Sequence, residues 1–221
     1  MIKNNINGRS MIEMIGVLAI IGILSIGGIA GYSRAMTRYR VNRTIDETSR
    51  LVNAIRTMYM TQRNFKGIEQ NNGQMNATIA KSIKNYTGFD PLSSNVFGGR
   101  WFVQSHHPNC NSNSQYCNPQ SEISTAFVVA FEKVPEDACM ELATINWANA
   151  GDGLIGFGIG KGDTRTVYSA TKKDCPKGSM QKNGSNGYWV CAQDLPLSPA
   201  DAVTACSFAG NNTYNFSFKY K

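Results

Sequence analysis

Apolar and polar positions divide the chain into contrasting stretches. From Met14 to Gly31 the residues are apolar or glycine apart from Ser25, and between Met11 and Gly31 the one ionisable side chain is Glu13. A helix of about 21 residues spans roughly 30 Å, the hydrocarbon thickness of a bilayer. From Ser33 to about Arg63 no Pro or Gly intervenes. Val41, Ile45, Val52, Ile55 and Tyr59 recur there at helical spacings, with Leu51 and Met58 beside them, and this makes one apolar face. The pattern predicts one continuous helix of about 50 residues, half apolar all round and half amphipathic. The first half is placed in a membrane and the second on a globular head.

The remainder reads as that head. Asn64 to Gly73 is polar and loop-like, and Met75 to Ile83 has weak helical spacing. Asp90-Pro91, Ser93-Ser94 and Gly98-Gly99 are turn signals. Strands are expected at Arg100–Gln104, Ser124–Glu132, Leu154–Ile159, Thr166–Ser169, Tyr188–Cys191 and Thr213–Tyr220. The last alternates Tyr214, Phe216, Phe218 and Tyr220, as a half-buried closing strand does. Pro135-Glu136-Asp137 opens a helix expected to run to about Ala148, with acids in the first turn. Ser198-Pro199 caps a short helix to Ala205. The fold class is α+β, a long helix packed on an antiparallel sheet.

Glu13 is the chemical anomaly. On insertion scales a carboxylate costs about 2.5–3.5 kcal/mol at mid-membrane and less near the interface. Either Glu13 sits in the headgroup zone, or it has a partner and a task. Gly16, Gly22, Gly27, Gly28 and Gly31 punctuate the same run, where small residues permit close helix packing.

Composition narrows the class. Net charge is +7, spread along the chain without an aromatic-interleaved basic stripe, which argues against nucleic acid as the main partner. Only 17% of residues are charged, which suits a loop-rich exported protein. Six cysteines, at 110, 117, 139, 175, 191 and 206, all follow the apolar run. Their even number and the lack of a CxxC spacing imply an oxidising compartment and disulfides. His106-His107 beside Cys110 is the nearest approach to a metal site, and no metal or cofactor is implied.

Flanking charge alone would leave the C-terminal side in the cytoplasm, because Arg34, Arg38, Arg40 and Arg43 outnumber Lys3 and Arg9. The cysteines point the other way and carry more weight, since large domains translocate largely regardless of flanking charge. No signal cleavage pattern follows the apolar run, so the run is retained. The four arginines read as interfacial snorkellers.

Gly8 followed by Arg-Ser-Met-Ile-Glu13 and an apolar helix resembles the prepilin signal of type IV pilins. The resemblance implies a leader at 1–8 and cleavage between Gly8 and Arg9 by prepilin peptidase. It also implies N-methylation of Arg9, where the family usually has Phe or Met. A transmembrane and filament-core helix at 9–33 follows, then its amphipathic half at 34–63 and the head at 64–221. Glu13 becomes the assembly residue, its carboxylate pairing with a neighbouring subunit's N-terminal amine and setting register. The alternative to close packing is that Gly22 or Gly27-Gly28 lets the helix extend locally in a filament, and the alternative to snorkelling is that the arginines enter intersubunit ion pairs.

Three patches narrow the resemblance to type IVb pilins: Asn95-Val-Phe-Gly98-Gly99, Val134-Pro135 with Cys139 and Leu142, and Cys206 with Asn211-Asn212-Thr213 and the final strand. The resemblance implies the disulfide Cys139–Cys206. Proximity in sequence suggests Cys110–Cys117 and Cys175–Cys191 for the others. The partners expected are identical or related pilin subunits, the peptidase, the pilus assembly machinery and, before assembly, the inner membrane. The head would be periplasmic first and extracellular afterwards, in adhesion, aggregation or motility.

Catalytic motifs are absent: there is no GxSxG, P-loop, HExxH or dinucleotide fingerprint. Gly153-x-x-Gly156-x-Gly158-x-Gly160 reads as a small-residue strand or bulge. The chain is not expected to be an enzyme. Two other readings are a type II secretion pseudopilin and a minor pilin binding DNA or a surface ligand, the latter through Lys172, Lys173, Lys177 and Lys182.

Overall fold

The computed structural model describes residues 11–62, 64–69, 74–106, 125–147, 153–161, 180–183, 187–207 and 213–221. The expected strand Thr166–Ser169 lies outside them. The chain divides into two compact units, Met1–Tyr39 and Arg40–Lys221.

The expected long helix forms as α1 (Met11–Tyr59), 49 residues without a break. Within the first unit every apolar side chain from Met11 to Ile29 is exposed, from 52% at Ile21 to 86% at Met11. This is the one described helix long and apolar enough to cross a membrane.

In the second unit α1 buries one face. Val41, Leu51, Val52, Ala54, Ile55 and Tyr59 enter the core, as the periodicity predicts, and Ile45 packs at its edge. Met58 stays out of the core, 37% exposed. The face is wider than its apolar letters, because Thr44, Glu47 and Thr48 are buried too. The threonine hydroxyls donate to the carbonyls of Arg40 and Thr44 at 2.8 and 2.7 Å, so a buried Thr costs no unsatisfied group. Glu47 accepts from Arg43 Nε at 2.8 Å. Arg43 is therefore an intrahelical partner of Glu47. The helix ends at Tyr59, four residues short of the expectation.

α2 (Ala77–Thr87) starts two residues later and runs four further than the spacing suggests. The Asn76 side chain accepts from the Thr78 amide, and Gly88 closes the helix at φ 74°, a left-handed turn that glycine takes without strain. The sheet comprises β1 (Trp101–His106), β2 (Ala126–Pro135), β3 (Leu154–Lys161), β4 (Gln181–Asn183), β5 (Gly187–Cys191) and β6 (Thr213–Tyr220). Its order is β1-β2-β6-β3-β5-β4, and every pairing is antiparallel.

β6 corrects the expectation of a half-buried closing strand. It lies between β2 and β3, in the middle of the sheet, and is buried on both faces. Tyr214, Phe216, Phe218 and Tyr220 face the core, where Phe216 and Phe218 meet Phe131 and Phe157 at ring separations of 5.7–6.0 Å. Asn215, Ser217 and Lys219, on the other face, are buried as well. Burial pushes the Lys219 ammonium down to about 8.

The glycine-rich segment is strand β3 with an irregularity in its pairing to β6 between Leu154 and Gly156. A Cβ on Gly156 would sit 2.4 Å from the Val190 carbonyl oxygen and 2.7 Å from the Trp189 ring. The absent side chain is what lets Trp189 lie against the strand.

α3 (Glu136–Ala143) follows β2 directly, and Pro135 is both the last strand residue and the helix N-cap. It ends five residues before the expected Ala148. After the Thr144 cap the chain turns so that Trp147 is buried, its indole N–H donating to the Leu142 carbonyl at 2.8 Å. A helix continued through that turn would carry the indole away from this acceptor. α4 (Pro199–Cys206) starts as expected, with Ser198 Oγ accepting from the Asp201 amide.

Candidate assembly segment and head motifs

Sequence reasoning nominates residues at the N-terminus, on the head cysteines and in one lysine-bearing loop. Gly8 and Arg9 lie outside the described residues. Glu13 is described, exposed in the first turn of α1. Around it Met11, Ile12, Met14 and Ile15 are 55–86% exposed. A continuous apolar surface of this kind requires a cover of lipid or protein.

The glycines of this segment support that reading. A Cβ at Gly16, Gly22, Gly27, Gly28 or Gly31 would meet nothing within 4 Å. Glycine in a helix interior costs about 1 kcal/mol relative to alanine. No contact within the described chain calls for glycine at these positions, so any packing they serve is with something else.

The head cysteines separate clearly. Cys139 of α3 and Cys206 of α4 are joined across 67 residues, and both are fully buried. Cys191 at the end of β5 is also disulfide-bonded, and Cys110, Cys117 and Cys175 lie outside the described residues. Lys172, Lys173 and Lys177 lie outside them as well, while Lys182 is exposed on β4. His106 ends β1, whereas His107 lies outside the described residues. Among the described residues no group of three or more His, Cys, Asp and Glu is placed to hold a metal ion.

The Asn95–Gly99 motif proves to be a clamp. Buried Asn95 accepts from the amides of Phe97 at 2.8 Å and Gly99 at 3.1 Å, and donates from Nδ2 to the Glu132 carbonyl at 2.8 Å. Glu132 lies where the β2–β6 register shifts, beside Lys133 at φ 63°. Gly98 takes φ 78°, and a Cβ on Gly99 would come within 2.2 Å of that same carbonyl oxygen. The motif therefore pins the turn before β1 to the irregular part of β2. Asn95→Ala leaves two amides and one carbonyl without their partner, and buried unsatisfied groups cost about 1–3 kcal/mol each. The Phe97 amide is half-buried and can turn to water, so the two buried groups set the expected loss at roughly 2–6 kcal/mol, read from chemical unfolding of the detergent-solubilised chain. A loss below roughly 1 kcal/mol would contradict the clamp.

One contact had no signal in the periodicity. The Arg56 guanidinium lies 5.4 Å from the Tyr220 ring centre, and its Nη2 donates to the Lys221 carbonyl at 3.2 Å. It joins α1 to the last strand. Burial holds the Tyr220 hydroxyl far above its ordinary range, although the Arg56 charge acts against this.

A long helix on an antiparallel sheet, with a buried disulfide between two short helices, defines a pilin-like class of protein. The model of the bundlin family matches residues 33–221, and the chain belongs to that family. Membership places it among structural subunits and not among enzymes. Two curated relatives are similar: the major structural subunits of the bundle-forming pilus from Escherichia coli O111:H- and from O127:H6 (strain E2348/69 / EPEC). Each is 23% identical over 199 residues, covering 90% of this chain and 86% of the relative. Among solved structures, the type IVb pilin of Salmonella typhi is similar with a TM-score of 0.44 and 14% identity, over 80% of this chain and 97% of that one. TcpA, a type IV pilin of Vibrio cholerae El Tor, has a TM-score of 0.47 and 13% identity, over 83% and 99%.

Proposed function

We infer that this chain is a structural subunit of a type IVb-like pilus. The observation that carries the reading is the apolar stretch of α1, exposed along its whole length in a chain whose head belongs to the bundlin family. Such a surface needs an apolar cover, and a pilus subunit meets two in turn: the bilayer before assembly and the packed helices of its neighbours afterwards.

In this account prepilin peptidase cuts after Gly8, and Arg9 becomes the N-methylated first residue. Residues 9–33 span the inner membrane and then line the filament core, with 34–63 as the amphipathic half and 64–221 as the head. The carboxylate of Glu13 pairs with the N-terminal amine of an adjacent subunit. A buried ion pair adds little net stability against an apolar replacement, whereas a half-broken one costs about 3–5 kcal/mol, so the pair acts mainly on register. The assembly machinery extracts the subunit, and the head ends at the filament surface. The family assignment favours this over a secretion pseudopilin.

The test is electron microscopy of cells that carry or lack this chain. Filaments should vanish on deletion and return on complementation. Unchanged filaments in the deletion strain would contradict a principal subunit role.

A further inference from the structure

Between α1 and α2 runs an open groove of about 310 Å³, lined by Arg50, Asn53, Ala54 and Thr57 of α1 and by Tyr86 and Thr87 of α2. Small side chains at Ala54 and Thr57 leave the space, and Tyr86 stands beside it 76% exposed. Arg50 is the one charged lining residue, and its charge is met in place. It pairs with Asp46 at 3.0 Å and donates to the Thr87 carbonyl at 3.4 Å. The Thr57 hydroxyl donates to the Asn53 carbonyl at 2.9 Å. An exposed aromatic ring beside an unfilled groove is the arrangement that protein interfaces use as an anchor.

A lining whose charge is already neutralised matches an occupant that is itself uncharged, and an open shallow groove favours one that can approach closely. The chain carries such a segment. From Met14 to Gly31 it has no ionisable residue, its apolar side chains are exposed, and its glycines have nothing beside them. Its one polar side chain, Ser25, donates to the Ile21 carbonyl at 2.7 Å and asks for no outside partner. Both the segment and the α1 wall of the groove belong to one unbroken helix, which cannot fold back on itself. The segment that fills the groove therefore comes from another molecule. We propose that the α1–α2 groove seats the apolar helix of a second copy at residues 22–31, with Tyr86 lying against it. Glycines at 22, 27, 28 and 31 let that backbone come close, as small residues do where helices pack. The inference rests on the pilus-subunit reading above and adds the surface of the head on which the neighbouring helix sits.

The test places a photocrosslinker at the rim of the groove, as Tyr86→p-benzoylphenylalanine in the full chain. The variant is carried as a minor fraction among wild-type copies, so that filaments still form. After irradiation, cross-linked peptides from sheared filaments and from membranes are mapped by mass spectrometry. Filaments should yield a covalent dimer in which residue 86 joins residues 22–31 of another copy, and the unassembled membrane pool should yield severalfold less. Thr57→Trp, which fills the groove from an exposed position, should lower filament yield severalfold at unchanged membrane abundance and unchanged melting of the head. Cross-links in filaments that map only to the head of a neighbour, or none at all, would overturn the proposal and leave the pilus reading intact. Thr57→Trp filaments at wild-type yield would overturn it as well. Filaments that lack this chain altogether would overturn both.

Discussion

Cells producing Glu13→Val are expected to hold the subunit in the inner membrane at normal abundance and to assemble few or no filaments. The substitution removes the one carboxylate from an apolar stretch, so insertion becomes more favourable. What it takes away appears on assembly. The N-terminal amine of the neighbouring subunit would enter the filament core without a counter-charge, and removing one partner of a buried pair costs about 3–5 kcal/mol. That penalty recurs at every added subunit, which is why the effect on filament yield is large. In a mature chain cut after Gly8, Arg9 would add a second positive charge beside the amine. Glu13→Gln, which keeps the shape and removes the charge, should therefore fail much as Val does. Immunoblots of membranes and of sheared filaments separate the two stages. Filaments of Glu13→Val at wild-type yield would remove the register argument.

The second large effect concerns the head. Replacing Cys139 and Cys206 together with alanine opens a loop of 67 residues' separation that the disulfide closes between α3 and α4. In the chain-entropy description, closing a loop of that length stabilises by roughly 4 kcal/mol. Domains of this size commonly have only about 5–15 kcal/mol in total. The double variant should melt roughly 8–16 °C lower and be cleaved by protease at temperatures where the wild type resists. Filament yield should fall with it, since a partly unfolded head is degraded before it is assembled. A melting temperature within about 2 °C of wild type would show that packing of the two helices suffices without the bond.

Much of the architecture is legible in the residues, for identifiable reasons. α1 is announced by the absence of Pro and Gly after Ser33 and by the apolar spacing from Val41 to Tyr59. What that spacing hides is the burial of Thr44, Glu47 and Thr48, because their polarity is satisfied locally, by backbone carbonyls or by Arg43. β6 shows its alternation plainly, yet alternation suggests one wet face, and this strand has none. Its central place depends on β2 and β3 flanking it, a non-local fact. α3 looks longer than it is, because the hydrogen bond of Trp147 to Leu142 forms only once the chain turns back.

The candidate site was legible unevenly. The apolar run and Glu13 stand out by composition alone, and the glycines take on meaning only when the structure shows nothing beside them. The Cys139–Cys206 bond came from resemblance, since six cysteines permit many pairings. Asn95 followed by Gly98-Gly99 signals a turn, but the grip of Asn95 on Glu132 spans 37 residues and no local pattern contains it.

The central claim is that this chain polymerises through a processed N-terminal helix. The most direct measurement is mass spectrometry of the N-terminal peptide from filaments sheared off the cell surface. The account predicts a peptide of this chain that begins at Arg9, with the added mass of one methyl group on its amine. A filament-derived chain that still begins at Met1, or filaments free of this chain, would contradict it.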